Sequence, residues 1–395
     1  MYHFSVNELE VKSLKKAKIV IVGSGFYGCT MAERISSVLG QEVTVLESRN
    51  HPGGNAYSYT DFDSGIEVHK YGSHLFHTNN SKIWEYVNTF DKFNEYRHFV
   101  WINSDNNIFP MPINLATISS VYGKPLTPTQ AKDLIKIETS GSMEQNNNFE
   151  EFAISKIGYK LYNLLIKGYT WKQWEINPKE LPTSTFTRLP IRYNFNSRYF
   201  SDAFEGLPLG GYGKVFQNML DNKLIKLHLN TDFFDVSQYI GSDSLIIYTG
   251  PIDRYFNYSQ GQLSWRTLDF ELQKLNTEDF QGCAVMNYGD KDVPFTRIHE
   301  FKHLHPERPQ TETTIIAREF SRKAKIGDEP YYPVNSVEDR IKLSKYRELA
   351  KEQKNIIFGG RLGTYQYLDM HMAIGAALSD FENHVIPLIT GGNNV

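Results

Sequence analysis

The feature that most constrains this chain is a glycine pattern that directly follows a short apolar run near its N-terminus. Residues 18–22 read Lys-Ile-Val-Ile-Val, which predicts a buried parallel strand, and Gly23, Gly25 and Gly28 follow with the spacing G-x-G-x-x-G. The first glycine allows a tight turn, the second lets a pyrophosphate approach the backbone, and the third lets a helix pack on the strand. The sequence therefore predicts a Rossmann-like dinucleotide-binding domain.

The segments after the glycines support this prediction. Residues 26–39 have the pattern of a helix, and residues 42–46 predict a second strand that ends at Glu47. An acidic residue at this position accepts hydrogen bonds from a ribose and repels a 2′-phosphate. A structural glycine turn is the alternative interpretation.

Two further segments favour FAD over NAD as the dinucleotide. The run from His51 to Asn55 contains the pair Gly53-Gly54, which is typical of flavoproteins of the glutathione-reductase type, although a plain loop would read the same. Near the C-terminus, Asp369 is the predicted N-cap of an apolar helix over residues 370–378. The N-terminus of that helix would stabilise negative charge on a reduced flavin, unless it is an ordinary capped helix.

The rest of the chain predicts additional units around this domain. Apolar runs at 244–249 and 355–358 predict strands of the same sheet, residues 149–167 predict a helix, and the chain becomes rich in short β-like segments after residue 182. We expect an α/β protein in which a glutathione-reductase-like FAD-binding domain carries an inserted helical-bundle domain and an antiparallel β-sheet domain. The expected bounds are 15–80, 210–255 and 352–392 for the FAD-binding domain, 81–95 and 113–180 for the helical domain, and 96–112, 181–209 and 256–351 for the sheet domain, which would hold the substrate. Residues 1–17 are predicted to be a polar extension.

Charge and cysteine content limit the partners of the chain. The 395 residues include 42 Lys and Arg against 45 Asp and Glu, a net charge of -3, so no overall field attracts nucleic acid or an anionic membrane. The two cysteines suit a reducing compartment, and neither a signal sequence nor an apolar stretch of about 20 residues is apparent. We expect a cytoplasmic protein that neither inserts into a membrane nor binds nucleic acid.

Aromatic side chains beside arginines predict a nucleotide site. Residues 168–174 read Gly-Tyr-Thr-Trp-Lys-Gln-Trp, and Arg188, Arg192, Arg198 and the pair Tyr199-Phe200 follow. Aromatic rings stack on planar bases and guanidinium groups pair with phosphates. The alternative is a solvated basic face over aromatic residues of the core.

A second candidate lies in residues 295–301, whose alternation predicts a strand. Phe295, Arg297, His299 and Phe301 would share one face of that strand. Arg297 is then either a structural ion pair or a ligand clamp, and His299 would either approach the bound ligand, face solvent or pack within the sheet.

Metal sites are not favoured by the remaining motifs. The pairs His74/His77 and His299/His303 lack cysteine partners at ligand spacing, and short acidic pairs such as Asp61/Asp63 are common by chance. We therefore expect no metal.

Eight segments together carry a family resemblance: IVGSGFYG, GGNAY, HKYGSHLFHT, GYTWKQW, ELPTSTFTRLPIRYNFNSRYFSD, YTGPID, EPYYPVN and GGRLGTYQYLDMH. From about residue 18 to about residue 381 the chain closely resembles the bacterial UDP-galactopyranose mutase family. The resemblance implies an isomerase that interconverts the pyranose and furanose forms of a UDP-sugar without net redox change, with N5 of reduced FAD as the covalent nucleophile. It also implies a homodimer and a role in cell-surface polysaccharide synthesis.

The resemblance also assigns roles to individual residues. It implies that Arg188 and Arg297 pair with the diphosphate and that His74 and His77 lie beside the flavin; these four are the candidate catalytic residues. The implied cofactor-binding residues are Gly23, Gly25, Phe26, Gly28, Glu47, Gly54, Asn55, His74, Arg361, Asp369 and Met370. The implied substrate-binding residues are Tyr169, Trp174, Arg188, Tyr199, Phe200, Asn287, Arg297, Tyr332 and Tyr367.

Several positions depart from the family pattern and leave the sugar open. Glu175 stands where glycine is expected, His299 where an apolar residue is expected, and Phe301 where histidine is expected, while 99–101 reads Phe-Val-Trp. UDP-galactose is the default, and UDP-N-acetylgalactosamine or a dTDP-linked 6-deoxyhexose are alternatives. An amine-oxidase-type flavin oxidoreductase and a non-catalytic nucleotide-sugar binding protein are the other candidate functions.

Overall fold

The computed structural model of the chain describes residues 8–141, 147–183 and 191–391. Its strands in this part of the chain are β1 (Ile19–Val22), β2 (Val43–Leu46), β3 (Ser58–Thr60), β4 (Glu67–His69), β5 (Phe76–Thr78), β6 (Val100–Ser104), β7 (Asn107–Met111), β8 (Phe204–Gly206), β9 (Ile225–His228), β10 (Leu245–Tyr248), β11 (Trp265–Leu275), β12 (Val285–Tyr288), β13 (Arg297–Glu300), β14 (Thr314–Lys323), β15 (Tyr332–Pro333) and β16 (Ile356–Phe358). Its α-helices are α1 (Glu8–Lys16), α2 (Phe26–Leu39), α3 (Ser81–Asn88), α4 (Leu115–Val121), α5 (Pro128–Thr139), α6 (Phe149–Leu161), α7 (Gly168–Trp174), α8 (Gly211–Leu220), α9 (Phe233–Val236), α10 (Ile252–Tyr255), α11 (Val337–Lys351), α12 (Gly360–Thr364), α13 (Met370–Asp380) and α14 (Ile386–Thr390).

A parallel sheet with the order β16-β10-β1-β2-β9 forms the first layer. The central strands β1 and β2 are buried along their whole length, as their apolar sequences predict. The predicted strands near residues 18–22, 42–46, 244–249 and 355–358 are all present. Strand β9 was not predicted, because its sequence Ile-Lys-Leu-His lies at the sheet edge, is only partly buried and therefore lacks a continuous apolar run.

Two glycines of the fingerprint are required by the geometry of this sheet. Gly23 has a φ of 94°, and a Cβ added there would lie 2.2 Å from Oγ1 of Thr249. A Cβ at Gly28 would lie 2.0 Å from the carbonyl oxygen of Gly23, so a side chain would push α2 away from β1. The predicted reasons for the turn and for the helix packing are confirmed, and with them the Rossmann-like α/β class.

A larger mixed sheet with the order β15-β11-β14-β13-β12-β6-β7 forms the second layer. Its neighbouring strands are antiparallel, as expected, except for β6 and β12, which run parallel. Strands β6 and β7 form a hairpin, and its turn residues Asp105 and Asn106 have φ of 52° and 56°. Strand β6 of this hairpin pairs in parallel with β12, which lies far from it in the sequence. No local sequence pattern predicts such a pairing.

Helices α4 to α7 follow β7 and precede β8 in the sequence. Helix α5 begins with a capping box, in which the side chains of Thr127 and Gln130 each accept from the other residue's backbone N–H. The helix predicted over residues 149–167 is interrupted at Gly158, where φ is 79°, and continues as a π-helical turn over Tyr162–Lys167. The bounds of the three expected domains remain predictions.

The N-terminal residues also correct a prediction. Residues 8–16 form helix α1, and Leu14 on that helix is 2% exposed against the parallel sheet and its cover. The segment is therefore not a simple polar extension. In the part of the chain that is described, we find no helix both long and apolar enough to cross a membrane.

Candidate active site

A cavity of about 640 Å³ opens at the carboxyl ends of β1 and β2. Its wall contains ten of the predicted cofactor residues: Gly23, Gly25, Phe26, Gly28, Glu47, Gly54, Asn55, His74, Arg361 and Met370. The loop that follows β14, residues 324–330, and the start of α13 close other sides of it. The site therefore combines parts of both sheets.

Glu47 fixes the turn at the start of α2. Its Oε2 accepts hydrogen bonds from the backbone N–H of Ser24 at 2.9 Å and from the Ser24 hydroxyl at 2.7 Å, and its Oε1 accepts from the N–H of Arg49 at 2.9 Å. The carboxylate is 5% exposed and lines the cavity. It lies where the fold places the ribose of a dinucleotide.

The glycine pair packs against this turn. The N–H of Gly53 donates to the carbonyl of Ser24 at 2.8 Å, and Gly54 has a φ of 55°. A Cβ at Gly54 would lie 3.4 Å from Cα of Gly25. The two glycine segments are thus close enough to enclose one ligand between their backbones.

Arg49 presents an unused donor to the cavity. Its Nη2 donates to Asn55 Oδ1 at 2.8 Å and also contacts Glu329, while Nε donates to Glu329 at 3.2 Å. The guanidinium lies over the ring of Tyr71 at 4.4 Å. Its Nη1 is buried and finds no hydrogen-bond partner within the described ranges. A buried cationic donor without a partner fits an anionic ligand such as a pyrophosphate.

Asp369 occupies the N-cap position of α13, as predicted, but its side chain makes no capping hydrogen bond. Only its carbonyl is used, accepting from the N–H of Ala373 at 2.9 Å. Leu368 and Met370 on either side belong to the cavity wall, whereas Asp369 does not. Asp369 therefore holds the predicted N-cap position without the capping hydrogen bond that its side chain could make.

Arg297 is the centre of a second group of predicted residues. It lies on β13 directly opposite Glu319 on β14, and its Nε is 3.3 Å from Oε1 of that carboxylate. Its Nη2 donates to the hydroxyl of Tyr169 on α7. Burial would lower the pKa of Arg297, but the charge of Glu319 and the hydroxyls of Tyr169, Tyr332 and Tyr199 raise it, so the side chain remains a cation.

Glu319 is the anion that holds this arginine. Burial would raise its pKa, but the charge of Arg297 and hydrogen bonds from His299 and Thr296 lower it to about 2. Its Oε2 lies 3.0 Å from Nε2 of His299, and its Oε1 accepts from the Thr296 hydroxyl at 3.0 Å. The carboxylate is therefore ionised at neutral pH and fully engaged.

Two tyrosines connect the arginine group to the cavity. The rings of Tyr332 and Tyr367 lie 5.9 Å apart with an interplanar angle of 20°. The guanidinium of Arg361, a residue of the cavity wall, lies 5.0 Å from the ring of Tyr367. Arg361 is fixed by its bond to the carbonyl of Leu368 at 2.7 Å. The two groups of predicted residues therefore adjoin.

Burial lowers the pKa of His74, which lies in the cavity wall, to about 4, so its ring is neutral. Its Nδ1 lies 2.8 Å from the carbonyl of Gly72 and donates to it, which leaves Nε2 as an acceptor. Its backbone N–H donates to Nδ1 of His69 at 3.0 Å.

His77 belongs to a neighbouring cluster on β5. Its ring stacks on Phe200 at 3.7 Å and 13°, and its Nδ1 lies 2.7 Å from Asp202. Phe200 in turn meets the ring of Tyr199 at 5.0 Å. The ring of His371 on α13 lies 5.0 Å from that of His77, which brings this cluster to the start of α13.

The predicted base-binding residues lie on two elements around Arg297. Tyr169 and Trp174 are both on α7. Asn287 on β12 is the direct neighbour of Arg297 in the sheet, and its Oδ1 is buried without a hydrogen-bond partner among the described residues. Arg188 lies outside the described residues. Arg192 donates to the carbonyl of Arg198, and Arg198 donates to the carbonyl of Asp202 and pairs with Glu205.

The departures from the family pattern are also placed by the structure. Glu175 ends α7 with a φ of 51°, a left-handed conformation that favours glycine. His299 is 2% exposed with both ring nitrogens bonded, so it packs in the sheet and offers no free donor to a sugar. The ring of Phe301 is fully buried and stacks on His299 at 6.1 Å. Phe99 is 41% exposed and bridges to Arg198, and Trp101 pairs with Met286 in the mixed sheet.

Five residues of the site were not singled out from the sequence: Arg49, Ser73, Asp202, Glu319 and His371. Each acts through a partner that is distant along the chain, such as Ser73 with His299 or His77 with Asp202. The available signal was indirect. The presence of a histidine at 299, where an apolar residue is expected, implies that polar partners surround it.

One group of possible metal ligands occurs among the described residues, and it is not one of the histidine pairs considered above. Ligand atoms of Asp279, Glu300 and His303 lie within 4.8 Å of one another. Glu300 already accepts from the N–H groups of Phe280 and Gln281, at 2.9 and 2.8 Å, and from Thr314 at 2.6 Å. The absence of a metal from this protein stays a prediction.

The fold and the cavity define a protein of the Rossmann-like dinucleotide-binding class, and a family model described as an NAD(P)-binding Rossmann-like domain matches residues 21–90. A second family model, UDP-galactopyranose mutase, matches residues 164–367. The chain belongs to the UDP-galactopyranose mutase family and is therefore an isomerase of the mutase type.

Individual relatives support this assignment. The chain is 40% identical to the dTDP-fucopyranose mutase of Escherichia coli over 365 residues, which is 91% of this chain and 96% of that protein. It is 39% identical to a probable UDP-galactopyranose mutase of Klebsiella pneumoniae, over 92% and 94% of the two chains. The crystal structure of a reduced UDP-galactopyranose mutase has the same fold, with a TM-score of 0.68, 15% identity and 95% coverage of both chains.

Proposed function

We propose that this protein is an FAD-dependent mutase that interconverts the pyranose and furanose forms of a hexose carried on UDP or dTDP, with UDP-galactose as the default substrate. The observation that carries the proposal is the half-buried Arg297, fixed by Glu319, set among tyrosine hydroxyls and adjoining the dinucleotide cavity. A cation with several hydroxyl donors is a site for a diphosphate. A diphosphate beside a dinucleotide cofactor is what a nucleotide-sugar mutase must bind.

The cavity fits FAD as its dinucleotide. Glu47 accepts from a ribose, and the unpartnered Nη1 of Arg49 suits the pyrophosphate. A Cβ at Gly25 would meet nothing within 4 Å of the described structure, so the glycine leaves space at the N-terminus of α2 for phosphate oxygens. The residues proposed for this role are Gly23, Gly25, Phe26, Gly28, Glu47, Gly54, Asn55, His74, Arg361 and Met370 in the cavity wall, and Asp369 beside the wall at the start of α13.

The catalytic role of Arg297 follows from the leaving group. Reduced flavin, when bound, supplies a nucleophilic nitrogen for the anomeric carbon and is regenerated, so the reaction needs no side-chain nucleophile. Arg297 then stabilises the negative charge that develops on the departing diphosphate. Because Glu319 already fixes the guanidinium, little reorganisation is needed during the reaction. Arg188 is proposed as the second cation, from the family motif alone.

The neutral state of His74 suits a position beside the cofactor. A neutral imidazole adds no charge to the wall of the cavity, and its Nε2 lone pair can accept a proton or a hydrogen bond. His77 is proposed to act in the same region through its pair with Asp202.

The base is proposed to lie among Tyr169, Trp174 and Phe200, with Asn287 reading its edge. The unpartnered Oδ1 of Asn287 is an acceptor, and both uracil and thymine carry an N3–H donor. Asn287 therefore recognises a pyrimidine of either kind and does not choose between UDP and dTDP. Two relatives at nearly equal identity are named for different nucleotides, one as a dTDP-fucopyranose mutase and one as a probable UDP-galactopyranose mutase, so the substrate must be found by experiment.

The deciding experiment incubates the FAD-loaded protein, oxidised or reduced with dithionite, with UDP-galactopyranose, dTDP-fucopyranose and UDP-N-acetylgalactosamine. We expect a furanose product, resolved by chromatography, from at least one sugar and only with the reduced protein. Arg297→Ala should retain FAD and lose at least about a hundredfold in turnover, because a charge-assisted contact to a developing oxyanion is worth roughly 2.7–4 kcal/mol.

Arg318→Ala is the matched control for this variant. Arg318 precedes Glu319 on β14, is half-buried like Arg297, and bonds Gln273 on the other face of the sheet. Its loss should leave turnover near that of the wild type. Equal turnover by oxidised and reduced protein would contradict the mechanism. Net oxidation of the flavin without a furanose product would favour the oxidoreductase alternative.

A further inference from the structure

An ion pair followed by two hydrogen bonds links the phosphate-site arginine to the turn that carries His74. Glu319 Oε1 lies 3.3 Å from Arg297 Nε, and Glu319 Oε2 lies 3.0 Å from His299 Nε2. On the other side of the imidazole, His299 Nδ1 lies 2.8 Å from the hydroxyl of Ser73. Ser73 directly precedes His74, which belongs to the cavity wall.

The sheet register places these groups together. Arg297 and His299 are two residues apart on β13 and therefore share a face, and Glu319 is the cross-strand neighbour of Arg297. The turn that contains Ser73 lies on the same face because Gly72 has a φ of 85°, and a Cβ there would come within 2.9 Å of the Phe270 ring. Glycine at 72 thus lets the turn approach the sheet closely enough for Ser73 to reach His299.

The protons of the chain have one consistent arrangement. The Glu319 carboxylate is ionised and can only accept, so Nε2 of His299 donates to it. Burial lowers the pKa of His299 despite this carboxylate, so the ring is neutral and Nδ1 carries a lone pair. Nδ1 therefore accepts from the Ser73 hydroxyl, and the Ser73 backbone N–H lies 3.4 Å from the same nitrogen. Each hydrogen bond is therefore donated in the same direction, from Ser73 to His299 and from His299 to Glu319.

A ligand at Arg297 must alter this chain. When a diphosphate shares the guanidinium, the Glu319 carboxylate loses part of its charge compensation, and its demand on the His299 donor increases. The stronger bond at Nε2 makes Nδ1 a better acceptor for Ser73. The effect reaches the backbone next to His74 through hydrogen bonds that are all buried or half-buried, where screening by solvent is weak.

We propose that Ser73, His299 and Glu319 are positioning residues that couple occupancy of Arg297 by the diphosphate to the His74 turn at the cofactor cavity. This inference rests on the proposed function. It also explains why this chain has a histidine at 299, since an apolar side chain would leave both Glu319 and Ser73 without this partner. By linkage, the cofactor's redox state must change nucleotide affinity by the same factor by which the nucleotide changes cofactor reduction.

The test measures this coupling in the FAD-loaded protein without any turnover. The dissociation constants of UDP and dTDP are determined by calorimetry with the flavin oxidised and reduced, and the flavin midpoint potential is measured with and without the tighter nucleotide. We expect the two redox states of the wild type to differ by about tenfold in affinity, which corresponds to a shift of about 30 mV for a two-electron couple.

Three variants separate the coupling from nucleotide binding itself. Ser73→Ala removes the hydroxyl bond at 2.8 Å and leaves only the long backbone contact at 3.4 Å between the turn and His299. It should keep the affinity of the oxidised form within about twofold while the redox ratio falls toward unity. His299→Leu should lose the ratio as well, and His299→Gln should restore most of it, because its amide can donate to Glu319 and accept from Ser73. Thr314→Val is the control: it removes another buried hydroxyl-to-carboxylate bond on the same two strands, to Glu300 at 2.6 Å, and should leave the ratio unchanged.

The outcomes distinguish this proposal from the proposed function. A wild-type ratio in Ser73→Ala and His299→Leu, or a ratio of unity in the wild type, would overturn the coupling while nucleotide binding stands. Equal loss of the ratio in Thr314→Val would show a general loosening of the sheet and would also overturn it. Failure to bind either nucleotide in any redox state would overturn both the coupling and the proposed function.

Discussion

At Glu175, a backbone preference and a charge interaction oppose each other. The residue ends α7 with a φ of 51° and ψ of 26°, a conformation that costs a non-glycine residue about 1 kcal/mol. Its Oε2 accepts from Arg266 Nη1 at 3.0 Å and from the N–H of Lys323 at 3.0 Å. The Arg266 side chain is only 3% exposed, so it depends on this carboxylate. The same arginine bonds Ser321, whose hydroxyl donates to the carbonyl of Gln173 on α7.

We expect Glu175→Gly to destabilise the protein although it removes the backbone strain. Leaving a buried charge without its partner costs about 3–5 kcal/mol, and less here because the Glu175 side chain is 53% exposed. The net loss should be about 1–2 kcal/mol in the free energy of unfolding, measured by urea denaturation. Glu175→Gln keeps the backbone strain and an accepting oxygen, so it should lose less. A glycine variant as stable as the wild type would contradict the expected net loss, because the ion pair would then only offset the backbone strain of about 1 kcal/mol.

At the scale of elements, a titratable contact joins the turn after β13 to the loop before β12. Nε2 of His303 lies 3.3 Å from Asp279 and 3.4 Å from Glu300, and Glu300 is fully buried. The hydrogen bond to Glu300 is the main cause that raises the pKa of His303, and it outweighs the effect of burial. The protonated ring therefore holds the two segments together.

The raised pKa of His303 determines how the stability of the fold changes with pH. A histidine whose folded pKa lies above the unfolded value of about 6.5 stabilises the fold fully below that value, and the contribution is lost as pH rises through the folded pKa. The urea midpoint of the wild type should therefore exceed that of His303→Gln at pH 5.5 by more than at pH 8.5 (round values that bracket the unfolded pKa of about 6.5). His384→Gln, on an exposed ring, is the control. A difference between wild type and His303→Gln that does not change with pH would contradict the assignment.

Elements with a strong local pattern were predictable, and those defined by distant partners were not. Strands β1 and β2 have apolar runs and are buried along their whole length, and β10 and β16 have apolar runs although they are only partly buried. The α5 capping box depends on four adjacent residues. The interruption of the helix after residue 157 depends on Gly158, whose added Cβ would lie 2.8 Å from Cβ of Glu138 on α5. That packing constraint cannot be seen in the hydrophobic period, which continues across the glycine.

At the scale of the whole molecule, the cofactor half of the site was more predictable than the substrate half. The glycines and Glu47 could be recognised because local backbone geometry requires them, and they line one cavity as expected. The surroundings of Arg297 depend instead on side chains brought together by sheet register, such as Glu319 and His299. Motif resemblance supplied the tyrosines there, while the carboxylate that fixes the arginine had no local signal.

An ion pair between Arg49 and Glu329 connects the two sheets at the cavity. It leads to a prediction about how long the cofactor is retained. Arg49 follows β2 of the parallel sheet, and Glu329 lies in the loop after β14 of the mixed sheet; both line the cavity and bond each other. Arg322 holds that loop in place by donating hydrogen bonds to the carboxylate of Asp328 at 2.5 and 3.0 Å. The pair therefore holds the loop across the cavity mouth, and its removal should let the cofactor escape without unfolding either sheet.

We expect Glu329→Gln to release FAD roughly fivefold faster than the wild type, the equivalent of about 1 kcal/mol for a partly exposed ion pair. Arg49→Gln should be faster still, because it also removes the unpartnered Nη1 donor. Release is measured by flavin fluorescence after dilution, and added salt should accelerate it more in the wild type than in Glu329→Gln, since only the wild type has the pair to screen. Glu271→Gln, an exposed carboxylate on β11 outside the cavity wall, is the control. Slower release from Glu329→Gln would reverse the interpretation, because Glu329 would then compete with the pyrophosphate for Arg49.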